Sequence, residues 1–136
     1  MSDSIFEFSK KDLAFGKVYE PAWYTVRVAN YYNEPSKNVE VPSTNHWFEG
    51  TILRNADTGD EKYAEHPIKW LFNSRAIGNA KGFLIGLGTS EESIEAGQRF
   101  DFRIAVGKII DMHIVNDLYQ GRQTNKVDNK FRVPRY

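Results

Sequence analysis

Cysteine is absent from this chain of 136 residues. Neither a disulfide framework nor a thiolate metal site is available, and nothing depends on an oxidising compartment. Net charge is missing as well, because 18 basic and 18 acidic residues cancel. Attraction of the whole molecule to a polyanion is thereby excluded, and any such binding falls to a local patch. Long apolar runs are lacking: the opening MSDSIFEFSKKDLAFGKVYE carries no stretch suited to a signal peptide, and no later segment reaches the length of a membrane span. The expectation is a soluble protein of the cytoplasm.

Catalytic spacings are equally scarce. His46, His66 and His113 stand far apart with no ligand-like spacing. Glu91, Glu92 and Glu95 read as a solvated helical turn, not as a working carboxylate pair. Gly78, Gly82, Gly86 and Gly88 lack the Gly-Lys-Ser/Thr ending of a phosphate loop, and their spacing suits a helix whose backbone approaches a sheet closely. No enzymatic activity, cofactor or metal is expected.

What the chain does have is rings. Aromatic residues make up 14% and hydrophobic residues 40%, enough for one domain's core with rings left over for the surface. Residues 1–20 read as a lead-in arm and 21–136 as the domain. From Trp23 to Ala29 the pattern alternates, with Tyr24, Val26 and Val28 on one face and Trp23, Thr25 and Arg27 on the other. A polar loop over 30–45 leads to a second strand in HWFEGTILR, where Gly50 suggests a bend. After the turn chemistry of Asp-Thr-Gly-Asp, IKWLFN reads as a third strand with Ile68, Trp70 and Phe72 inward, although a one-residue slip would exchange Trp70 with Leu71.

The period then changes. SRAIGNAKGFLIGLG predicts a helix ending at Gly88, and Thr89 with Glu92 has capping-box spacing for a further turn. RFDFRIAVGKII predicts a fourth strand, with Phe100, Phe102, Ile104 and Val106 on one face. A loop carrying Tyr119 and Gly121 precedes a last strand in which Val127, Phe131 and Val133 alternate with Lys126, Lys130 and Arg132. Three strands, a helix and two strands is the order of an all-β fold with one helix, the five-stranded oligonucleotide/oligosaccharide-binding (OB) barrel with its helix between strands three and four. On that fold the closing cations point outward from one strand face.

Binding of single-stranded nucleic acid needs cations for phosphates and flat rings for bases. Trp47 and Lys69 fall on the outward faces of strands two and three. Tyr31, Tyr32 and Lys37 fall in the first loop, Tyr119 and Arg122 in the last. Trp23 and Arg27 are second-rank candidates.

The strand WYTVRV followed by a Lys-containing loop, the helix AIGNAKGFLIGLG, the turn SIEAGQRFDFRIAV and the closing GRQTNKVDNKFRVP together resemble bacteriophage single-stranded DNA-binding proteins of the barrel type. The resemblance covers most of the chain, and none of its motifs is catalytic. It implies sequence-tolerant binding of exposed DNA strands in phage replication, recombination or repair, in the cytoplasm of an infected host cell. By carry-over the contacts are Lys37, Arg122, Asn125, Lys126 and Lys130, joined by Arg132 on the same outward strand face. The sequence ends FRVPRY where many such proteins have an acidic tail, which places tail-mediated recruitment of replication proteins in doubt. Duplex DNA and RNA stay open as partners, as does self-association. The alternative reading is an OB-fold module for protein interaction or virion structure.

Overall fold

The computed structural model describes residues 17–38 and 40–135. Five strands, β1 (Ala22–Pro35), β2 (Thr44–Asn55), β3 (Pro67–Asn73), β4 (Ile109–Tyr119) and β5 (Arg122–Arg132), form one antiparallel sheet in the order β3-β2-β1-β4-β5. Between β3 and β4 a 3-10 turn, Ser74–Asn79, runs into helix α1 (Ala80–Gly86), and a short helix α2 (Glu91–Glu95) follows. The all-β architecture with its helix after the third strand agrees with the expectation. The sheet is not closed: β3 and β5 are its edges, and they meet through the rings of Phe72 and Phe131, 6.0 Å apart, without a ladder between them. Phe83 of α1 covers this seam, with centroids 5.3 Å from both rings.

Alternation explains the inner face. Val26, Val28, Phe48, Ile52, Ile68, Trp70, Phe72, Ile110, Met112 and Ile114 are buried together, each large side chain contributing about 1.5–3 kcal/mol. Trp70 thus faces inward and Leu71 outward. The helix ends in a Schellman motif, Gly88 donating to the Ile85 carbonyl and Thr89 to that of Leu84, with Gly88 at φ +102°. Gly86 is the close-approach glycine: a Cβ there would lie 2.6 Å from Ile110 Cδ1, whereas Gly78 faces open space.

Four local expectations are corrected. Residues 30–35 are strand, because a bulge between Val28 and Asn30 lets β1 continue and pairs Tyr31 with Phe48 and Tyr32 with Trp47. The expected fourth strand over 99–110 is mostly not one. Asp101 caps a 3-10 turn, Phe102–Ala105, through Arg103 N, and this turn leaves Ile104 and Val106 half exposed. The loop before the last strand is a two-residue turn, Gln120 and Gly121 at φ +51° and +77°, so Tyr119 and Arg122 are strand ends. The cap of α2 is Ser90, which accepts from Ser93 N, and not Thr89.

Residues 1–16 of the expected arm lie outside the described residues. Tyr19 is a core residue: its hydroxyl donates to the Pro67 carbonyl, and Asn116 and Asn125 bind its backbone. Burial and the nearby Tyr63 push its hydroxyl pKa up to about 12. Among the described residues no helix is long and apolar enough to cross a membrane.

Candidate nucleic-acid interface

The outer face of β1, β2 and β3 is set by register. Tyr32 sits opposite Trp47, Trp47 opposite Leu71, and Glu49 opposite Lys69, so these side chains share the side away from the core. The rings of Tyr32 and Trp47 lie nearly parallel, 19° between planes and 6.4 Å between centroids. The Lys69 ammonium stands over both, 5.3 Å from the first and 4.4 Å from the second. Trp47 Nε1 donates to Glu34 Oε1 at 2.9 Å, which fixes the indole's orientation. Lys37 is exposed in the loop between β1 and β2.

The other anticipated residues are dispersed. Tyr31 points the opposite way from Tyr32 and packs on Phe48 and Phe102. Its hydroxyl is 2.6 Å from His46 Nδ1, and burial lowers the His46 pKa below its ordinary value. Tyr119, 66% exposed, Arg122 and Lys126 lie along the β4–β5 hairpin, beyond the point where Ile114 pairs with Ala22 at the start of β1. Tyr32 lies near the other end of that strand, so the structure does not bring the two sets together. Lys126 is 3.7 Å from Asp117. Asn125 is structural: its side chain accepts from Tyr19 N and donates to the Lys17 carbonyl. Lys130 is exposed and makes no ion pair among the described residues. Arg132 is occupied by Asp57, Asp111 and the ring of Trp23. Trp23 therefore belongs to that cluster, while Arg27 is exposed.

Two features escaped the sequence reading. A groove of about 750 Å³ runs beside Lys69 and is lined by Asn30, Glu49, Thr51 and Pro67. A cleft of about 700 Å³ near α1 is lined by His46, Leu84, Phe100 and Phe102. Glu49 shares the outward face of Trp47, and the register shift after Val28 places Asn30 opposite it. Among the described residues no group of acidic residues and histidines could hold a metal ion. No protein-family model matches this chain, and no curated protein matches it.

Proposed function

We propose that this protein binds single-stranded DNA without strict sequence preference and without catalysis, stacking bases on Tyr32 and Trp47 and pairing phosphates with Lys69 and Lys37. The supporting observation is the outward ring pair with an ammonium over it, on an OB strand order. A cation over an exposed ring is worth about 0.5–1 kcal/mol and a stacked base about 1–3 kcal/mol. An arriving base therefore displaces Lys69 from the rings and leaves it beside the phosphate. Phage DNA in replication, recombination or repair is the setting that the resemblance implies.

The test is a titration of tryptophan emission with oligo-dT, the matching RNA and a duplex at two salt concentrations, on the wild type and Trp47→Ala. Quenching should be strongest with oligo-dT, weaken with salt and vanish in the variant. Absence of quenching and of a gel shift with all three ligands would overturn the proposal. Docking of a protein is the second reading, favoured by Leu118 and Tyr119, 70% and 66% exposed at the hairpin tip. That result would leave it standing.

A further inference from the structure

The groove beside the ring pair is lined by the carboxylates of Glu49 and Glu65 and the ammonium of Lys69. It has the right chemistry for the hydrogen-bond donors of a base. Glu49 Oε1 accepts from Asn30 Nδ2 at 3.1 Å, while Oε2 has no partner among the described residues and is not buried.

We infer that this groove holds the Watson–Crick edge of guanine, with Glu49 reading it, an inference that rests on the single-strand function proposed above. Guanine presents two adjacent donors, N1–H and N2–H, which suit a carboxylate acceptor. Cytosine and adenine set their amino group beside an acceptor nitrogen, and thymine sets its N–H between two carbonyls that repel a carboxylate. Trp47 and Glu49 lie two residues apart on one strand face, about 6.7 Å at the strand rise. One nucleotide can stack on the indole while its neighbour lowers its edge into the groove. The protein then tolerates any sequence through stacking and favours guanine at one position.

The experiment measures fluorescence anisotropy of labelled ten-nucleotide oligo-dT carrying one central dG, dI or dT. Hypoxanthine keeps the purine stack and N1–H but lacks the N2 amino group. Wild type should bind the dG strand about fivefold tighter than the dI or dT strand, the low end for a two-point base contact. Glu49→Gln should abolish that preference without weakening binding of the all-dT strand, and its melting temperature should match the wild type. Equal wild-type affinity for all three strands would overturn the guanine site and leave the proposed function intact. A preference that survives Glu49→Gln would overturn the role of Glu49. No binding of any strand would overturn both the inference and the function beneath it.

Discussion

At Arg132 one guanidinium holds three partners. Nη2 lies 2.7 Å from Asp57 Oδ1, Nε donates to Asp111 Oδ2 at 3.2 Å, and the Trp23 ring centroid is 4.3 Å away. Asp111 is 1% exposed and also accepts from the Thr25 hydroxyl at 2.6 Å. Its charge is tolerated in that position because both oxygens are paired. Removing one member of a buried pair costs about 3–5 kcal/mol, and the partial exposure of Arg132 puts this case near the lower end. Arg132→Ala should therefore lose about 3 kcal/mol in urea unfolding. The same variant should leave affinity for oligo-dT unchanged, because the residue lies off the proposed stacking face.

At the scale of elements, the close approach of β1 and β2 positions the ring pair. Gly50 makes the approach possible: a Cβ there would stand 2.6 Å from Val26 Cγ1, 3.0 Å from Trp70 and 3.1 Å from the Arg27 carbonyl. Two register shifts in the same pairing, after Thr25 and after Val28, bend the ribbon around that contact. Backbone and a β-branched side chain cannot withdraw cheaply, so Gly50→Ala should cost about 1–3 kcal/mol, measured as a lowered urea midpoint. The loss should exceed that of an Ala at Gly78, where the added methyl meets nothing within 4 Å.

Across the whole molecule, neutral net charge conceals an uneven distribution. Lys62, Lys81, Arg103, Lys126 and Arg132 are tied to carboxylates. Lys69 stands on the β1–β2–β3 face, Lys37 is exposed in the loop between β1 and β2, and Arg122 sits far along the hairpin. A single strand neutralised by two cations should lose affinity with log salt at a slope of about −1.4, at roughly −0.7 per phosphate. Oligo-dT titrations over a range of NaCl concentrations check this value. A slope near −3 would bring about four phosphates, and so cations beyond Lys37 and Lys69, into the interface.

Much of this was legible in the amino-acid order. Period two placed Val26, Val28, Ile68 and Phe72 inside and put Trp47 and Lys69 outside, because a strand's faces depend only on near neighbours, while Trp70 against Leu71 was decided by the pairing of β3 with β2. Element order suggested the sheet for the same local reason. Alternation misled over 100–106, where the hydrogen bond that Arg103 N donates to Asp101 Oδ1 outweighed it and turned the chain. It was also silent on the bulge that sends Tyr31 inward and Tyr32 outward. The cations were decided by tertiary structure alone. Arg132 finds Asp111 and Asp57 across 21 and 75 positions of chain, so strand pairing determined which positive charges are spent inside the protein and which face solvent.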